Sequence, residues 1–563
     1  NNNLHMRDEN QTADKTSALY PGYLVKKVMW DAYKRETSAT GNTYPEVTRL
    51  LKQQQQQGAL VMNYAGHGSS LQLSHENVLR VSDFKEFTNT NLPLWVSASC
   101  DVLPFDGNTV TLGEAAVINP KGGAVAFFGT TRTVFTNYNM AINQAYMRHV
   151  LSLDDNGRPV TIGEAQRRAK NEMVETGSDL SVNKLQYTLL GDPALPLALP
   201  TMKVVVDKIN GVETGSATLP RLKAGSVATV EGHIEGGDNF NGVATATVRD
   251  TRELITCRQN DAKDKDGSKY AFEFYDRPRT IYAGSDSVRA GKFEFTFAVP
   301  KDINYEEGNG LINIYAISSD HNTSAHGSSE SFIVNGSELA ENDSIGPSIY
   351  CYLNSPSFTN GGKVNTTPFF VATINDQDGI NASGSGIGHD MQLVIDGDMG
   401  KTYSLNDNFS YDFGTYTSGS TYYSLPELEP GEHRLLFRAW DVLNNASTAE
   451  LTFTVVKGLR PTLFNVSCTD NPATTSTTFI ISHDRTGSTV DVDIDIFDMS
   501  GRQLWRHSES GVSTDNAYTV EWNLTTDGGR RLQTGVYLYR ARISCDGSSK
   551  VSKAKKLVII GNK

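Results

Sequence analysis

Ala59-Leu-Val-Met-Asn-Tyr-Ala65 runs straight into Gly66-His67-Gly68-Ser69, and Leu92-Pro-Leu-Trp-Val-Ser-Ala98 runs into Ser99-Cys100-Asp101. Both are short apolar runs bounded by turn residues, the pattern of a strand buried on both faces of a parallel sheet. Each delivers one reactive side chain just past its end, and His67 and Cys100 stand thirty-three residues apart. Open parallel sheets place ligands outside the carboxyl ends of their strands. The two runs therefore predict an α/β layer with an imidazole and a thiol at neighbouring strand ends.

Working outward, helical patterns fall over 22–35 and 44–57, the second ending in a five-glutamine run before Gly58. Further helices are predicted over 112–119, 137–153 and 161–176, with a strand over 122–129. That alternation is the mark of a layered α/β domain, assigned to 1–199. Three strands are few for a sheet covered on both faces, and the chain opens Asn1-Asn-Asn-Leu-His-Met without signal peptide or start methionine. Earlier strands are thus expected on a missing N-terminal segment of the same protein.

The proline-rich Leu190-Gly-Asp-Pro-Ala-Leu-Pro-Leu-Ala-Leu-Pro200 closes this domain. Beyond it long helical patterns vanish. Alternating runs such as Lys292-Phe-Glu-Phe-Thr-Phe-Ala-Val299 and Gly310-Leu-Ile-Asn-Ile-Tyr-Ala316 recur between turns, which predicts β-sandwich modules. Breaks at Glu341-Asn-Asp-Ser-Ile-Gly-Pro347 and Lys457-Gly-Leu-Arg-Pro461 divide them into 200–341, 342–458 and 459–563. The expectation is a multidomain chain, α/β then all-β, with three Ig-like sandwiches in series.

Bulk properties are compatible with this reading. A chain of 563 residues holds roughly three to five domains at ~100–200 residues each. A net charge of −13 argues against a general nucleic-acid binder, whose affinity rests on neutralising phosphates. No run of about 18 apolar residues exists to span a membrane as a helix. The five cysteines form neither a metal signature nor a dense disulfide scaffold. Cys468 and Cys545 share the predicted last module, and sequence leaves their pairing open. No cofactor and no metal is expected.

The chemistry follows from the two strand ends. A thiol of ordinary pKa is weakly ionised at neutral pH, so a cysteine nucleophile needs a base. Histidine serves, and later protonates the leaving amine. The oxyanion of the tetrahedral intermediate needs aimed N–H donors. Gly68, lacking a side chain, and Cys100 itself are the expected oxyanion hole. Read singly, His67 is a turn histidine and Cys100 a small core residue; read together they point to a cysteine peptidase.

Asn63-Tyr-Ala-Gly-His-Gly-Ser-Ser70 with Ser97-Ala-Ser-Cys-Asp-Val-Leu-Pro-Phe-Asp106 resembles the gingipain family of cysteine peptidases. Thr161-Ile-Gly-Glu-Ala-Gln166 and Leu189-Leu-Gly-Asp-Pro193 are similar to that family's downstream segments. The resemblance implies a caspase-like fold for 1–199, with Cys100 as nucleophile and His67 as its acid–base partner. A caspase-type segment would read Gln-Ala-Cys, whereas this one reads Ala-Ser-Cys-Asp-Val, so caspase-like specificity is not implied. Within the family, the Asp-Val-Leu-Pro-Phe-Asp continuation is similar to a surface signal peptidase and sortase of the type IX secretion system. The implied partners are exported cargo with C-terminal sorting domains, an amine acceptor on anionic lipopolysaccharide, and an outer-membrane barrel. The last module, through Phe497-Asp-Met-Ser-Gly-Arg502 and Thr534-Gly-Val-Tyr-Leu-Tyr539, is similar to a retained sorting domain. The implied place is a bacterial cell surface, at the outer membrane.

Other residues are weighed beside these. The family orients its histidine with an upstream acid; Asp8 and Glu9 are available, in a segment without clear periodicity, though solvated charge is the commoner role. His75, eight residues after His67, is a possible decoy base, but it has no glycine neighbours and no strand end, and reads as loop. Thr131, Arg132 and Tyr138 follow the 122–129 strand and are candidates to line a substrate pocket. Asp261-Ala-Lys-Asp-Lys-Asp266 lacks the spacing of a calcium loop. Two other functions stand behind the processing peptidase: a general secreted protease, expected to shed its last module, and an adhesin with a silent catalytic domain, expected to have lost Cys100.

Overall fold

The computed structural model describes residues 3–39, 41–262, 269–338, 343–384 and 388–560. Two compact units are present: Asn1–Lys223 with Val227–Thr296 and Ile303–Gly336, and Ala224–Ser226 with Phe297–Asp302 and Ser337–Lys563.

The first unit opens with the α/β layer. Its sheet runs in the order β1 (Val61–Ala65), β2 (Leu94–Ala98), β3 (Ala126–Thr130) and β4 (Tyr187–Leu190). The first three strands are parallel, and β4 lies antiparallel against β3. Every residue of β2 and β3 is buried, as a strand covered on both faces requires. Their alternation divides two cores: Leu94, Val96, Ala126 and Phe128 face one, Trp95 and Phe127 the other. The longer helices are α1 (Asn3–Leu19), α2 (Pro45–Gln57), α3 (Leu112–Ile118), α4 (Thr136–Val150) and α5 (Ile162–Glu175). Proline opens α2, and Gly58 at φ +97° ends it. Thr111 and Glu114 form a capping box on α3, and the Thr161 hydroxyl caps α5.

Two expectations fail at the N-terminal end. Residues 22–35 are not a helix; only a short 3₁₀ turn, Trp30–Ala32, forms there. Backbone carbonyls of this stretch are drawn to the neighbouring sheet, where Asn313 Nδ2 donates to Tyr23 O (3.5 Å) and Arg249 Nη1 to Val25 O (3.2 Å). The segment bearing Asp8 and Glu9 is not irregular but lies within α1, which buries His5, Met6, Asp8 and Thr12.

After Pro200 the first unit is β-structure, with neighbouring strands Gly242–Arg249, Leu311–Ser318, Ser324–Ser329, Met202–Ile209 and Val227–Ile234 in one sheet. Of the Asp261–Asp266 segment, residues 263–266 lie outside the described residues, as do 341 and 342 of the expected break.

The second unit holds two pairs of sheets. One pair, containing Phe369–Asn375 and Gly431–Trp440, closes on a core that includes Phe370, Leu393 and Phe437. The other contains Thr477–His483 and Thr489–Phe497. In Thr489–Phe497 the apolar Val490, Val492, Ile494 and Ile496 turn inward, the period of two expected of a sheet with one wet face. The cysteines at 468 and 545 are free thiols. Among the described residues no helix is long and apolar enough to cross a membrane.

Candidate active site

Register builds the site. Val61 pairs with Leu94 and Ala65 with Ala98, so each residue of β1 faces the one thirty-three positions later. The same offset, carried two residues beyond the strand ends, makes His67 and Cys100 equivalents. Gly66 N–H still reaches Ala98 O at 3.4 Å.

A small hairpin of Gln72–Leu73 and Leu79–Arg80 then fixes the histidine loop. The His67 carbonyl accepts from Ser74 N–H at 2.8 Å and from the Tyr64 hydroxyl at 2.7 Å. Ser69 N–H donates to Gln72 O at 3.0 Å. These bonds flank Gly68, which faces Leu73 in an isolated antiparallel bridge. A residue flanked in this way points its own N–H away from the partner strand. On its other side Gly68 meets the cysteine loop: a Cβ there would stand 2.7 Å from Ser99 Oγ and 2.8 Å from Val102 Cγ1. Only glycine permits so close an approach.

Cys100 is half-buried. Its Sγ lies 3.5 Å from both the N and the O of Val134. Asp101 follows at φ +52°, a left-handed conformation that costs ~1–3 kcal/mol and survives only when neighbours fix it. They do so here. Thr133 Oγ1 donates to Asp101 Oδ2 (3.1 Å), Asp101 N–H to Arg132 O (3.4 Å), and Leu103 N–H to Thr130 O (2.9 Å). The Thr130 hydroxyl donates to Ser99 O, and Arg132 grips Asp106 with both Nη atoms (3.1 and 2.5 Å). Among the described residues neither Gly68 nor Cys100 donates its N–H to a backbone acceptor.

His67 has three unforeseen neighbours. His5 of α1 meets it edge-on at 4.8 Å between ring centroids, and His75 lies at 5.0 Å. Burial and the field of His75 draw the His67 pKa down, while Glu76 draws it up. Glu76 is held by the Ser74 hydroxyl, which donates to Oε2 at 2.7 Å. Burial, with His67 adding to it, lowers His5 to about 4. The candidate acids Asp8 and Glu9 lie on α1, three and four residues after His5. Asp8 is engaged by Arg7 at 3.2 Å. The Glu9 Oε2 is buried without a partner, and burial beside Asp8 lifts that carboxyl to about 7. Of the carboxylates, Glu76 is the one whose field raises the His67 pKa, and the histidine read as loop, His75, stands beside the imidazole.

The pocket candidates divide. Arg132 belongs to the cysteine loop through Asp101 and Asp106, and Thr131 hangs from Gln186 O by its N–H (2.9 Å) and its hydroxyl (3.2 Å). Tyr138 lies in the first turn of α4, its N–H on Phe135 O. Contacts across a hairpin and between loops leave no mark in residue spacing, so nothing in the sequence singled out His5, Glu76 or Val134.

An imidazole and a thiol thus follow the ends of adjacent parallel strands, the two groups a cysteine nucleophile and its base require. Residues 1–198 match Peptidase family C25. The chain is similar to dimeric latent PorU from Porphyromonas gingivalis, with 32% identity over 78% of this chain and 41% of that one, at a TM-score of 0.33. It is also similar to the complex of Porphyromonas gingivalis RgpB pro- and mature domains, with 18% identity over 59% of this chain and 63% of that one, at 0.30. Chicken CNTN1 FN1–FN3 domains match at 9% identity over 64% of this chain and 98% of that one, at 0.16. The chain thus spans 41% of the PorU chain and less than two thirds of the RgpB one. No curated protein matches.

Proposed function

We propose that the protein is a cell-surface cysteine endopeptidase and transpeptidase of the type IX secretion system, related in role to PorU. It removes the C-terminal sorting domain of exported cargo and joins the cargo to an amine of anionic lipopolysaccharide. The observation that carries this is the alignment of His67 with Cys100 on neighbouring strands. His67 takes the thiol proton as Cys100 Sγ attacks the scissile carbonyl, and the N–H groups of Gly68 and Cys100 receive the oxyanion. As the C–N bond breaks, His67 protonates the departing amine, leaving a thioester on Cys100. Water or an acceptor amine then attacks the thioester, gives up its proton to His67 and frees the thiol. Hydrolysis and transfer differ only in the second nucleophile.

In this reading 1–199 is a caspase-like domain, followed by Ig-like sandwiches over 200–341, 342–458 and 459–563. The last is a sorting-type domain retained against an outer-membrane barrel such as PorV. The outer edge of β1 lines a cavity of about 1010 Å³.

The test compares the full-length protein with Cys100→Ala on a cargo protein bearing an intact sorting domain, with and without an added amine. Mass spectrometry of the new cargo C-terminus is expected to show cleavage and amine attachment, both dependent on Cys100. Equal processing by the variant overturns the assignment. Free acid alone leaves a peptidase without transfer.

A further inference from the structure

Residues 179–186 are folded inside out. Asp179, Asn183 and Lys184 are buried, whereas Leu180 is 74% exposed and Val182 and Leu185 are each 65% exposed. Surface segments ordinarily do the reverse. The buried polar groups are engaged: Asp179 Oδ1 accepts from Ser181 N–H and Oγ (2.8 and 2.6 Å), and Asp179 Oδ2 from Lys184 N–H (2.7 Å). Lys184 Nζ donates to Ser181 O at 2.6 Å. Val182 precedes the helical turn Asn183–Gln186, and the spacing of 182 and 185 sets both on one face of it.

This segment adjoins the nucleophile. Asn183 Oδ1 accepts from Phe135 N–H at 2.7 Å, and Phe135, itself 66% exposed, follows the Val134 that flanks Cys100 Sγ. Tyr187, next after the turn, packs in the same core as Val134, against which Cys100 also lies. Four outward apolar side chains therefore lie on two segments joined by a hydrogen bond, one of which reaches the thiol through Val134. Exposed apolar surface can mark a binding site, and the link of both segments to Cys100 through Phe135 and Val134 names the occupant as the polypeptide being cleaved.

We propose that Leu180, Val182, Leu185 and Phe135 form the specificity surface of the enzyme, receiving apolar side chains of the polypeptide next to its scissile bond. The inference rests on the peptidase reading above and names the chemistry of its substrate.

The probes are fluorescent decapeptides spanning a cargo cleavage site, with Leu or Asp placed singly at each of the four positions on either side. Binding is measured with full-length Cys100→Ala protein, alone and with Val182→Glu/Leu185→Glu added; cleavage is measured with the same pair on intact Cys100. Leu peptides are expected to bind at least 10-fold more tightly than their Asp counterparts at one or two positions. The double substitution should abolish that preference and raise KM with little change in kcat, while Val182→Ile/Leu185→Met retains it. A preference absent from the start, or unchanged in the double variant, overturns the proposal. Selective binding without Cys100-dependent cleavage leaves the surface standing and sinks the peptidase reading instead.

Discussion

Gly68 and Ser99 touch so closely that the histidine loop and the cysteine loop form one packed body rather than two independent turns. A methyl group on Gly68 would enter the space of Ser99 Oγ and Val102 Cγ1. Gly68→Ala is therefore expected to part the two loops and turn the Gly68 N–H out of line. Overpacking of this kind costs ~1–3 kcal/mol, and misplacement by ~1 Å costs about 100-fold in rate. Activity and urea unfolding measured on the same sample test this, since the rate should fall far more than the stability. A variant within 3-fold of the parent in kcat/KM would refute the packing argument.

Glu76 and His75 act on His67 with opposite sign. The carboxylate favours the imidazolium and raises its pKa, whereas His75 adds to burial in lowering it. Glu76→Gln should therefore move the pH profile of kcat/KM toward lower pH, and His75→Gln toward higher pH. Shifts of the same direction in both variants would contradict the arrangement.

Gln55 sits fully buried at the inner face of α2. Its Oε1 accepts from Trp95 Nε1–H at 2.9 Å, and its Nε2 donates to Gly123 O at 2.6 Å. Gln55→Leu leaves the indole N–H of β2 buried without an acceptor, which costs ~1–3 kcal/mol. Denaturant unfolding of the first unit's transition checks this. A loss below about 0.5 kcal/mol, within ordinary surface scatter, would show the bonds to be dispensable.

In the last module His483 is buried, with Nδ1 accepting from Arg485 N–H at 2.9 Å and Nε2 3.1 Å from Ser513 Oγ. Burial lowers its pKa from 6.5 to about 4, the charges of Asp484 and Arg485 opposing one another. The neutral ring is favoured in the folded state, so its stabilisation is complete above pH 6.5. It drains away as pH falls toward 4, by on the order of 3 kcal/mol. Unfolding of the second unit followed from pH 7 to pH 4.5 should show this loss, and His483→Gln should flatten it. An equal slope in both proteins would remove His483 as the cause.

How much was legible in the sequence depended on whether a segment met its partner close by. β1 and β2 were legible because both are short, mainly apolar runs bounded by turn residues, and the reactive residues follow directly, although only β2 is buried at every position. The 22–35 segment deceived because its apolar residues mimic a helical stripe. In fact Met29 and Trp30, adjacent in sequence, enter different clusters, as alternating side chains of an extended chain do. Helix α1 escaped notice because much of what it buries is polar: His5, Asp8 and Thr12. The neighbours of His67 were invisible for another reason. His75 and Glu76 reach it only because the hairpin folds back, and no periodicity records a fold-back.

The register that aligns His67 with Cys100 is written in hydrogen bonds between β1 and β2, not in the peptide chain joining them. That chain surfaces at Thr90, Asn91 and Leu92, all exposed. A break there separates base from nucleophile covalently while leaving their alignment to strand pairing. The domain is thus a natural template for a split enzyme, active only when two fragments, one ending and one beginning at Asn91, find each other.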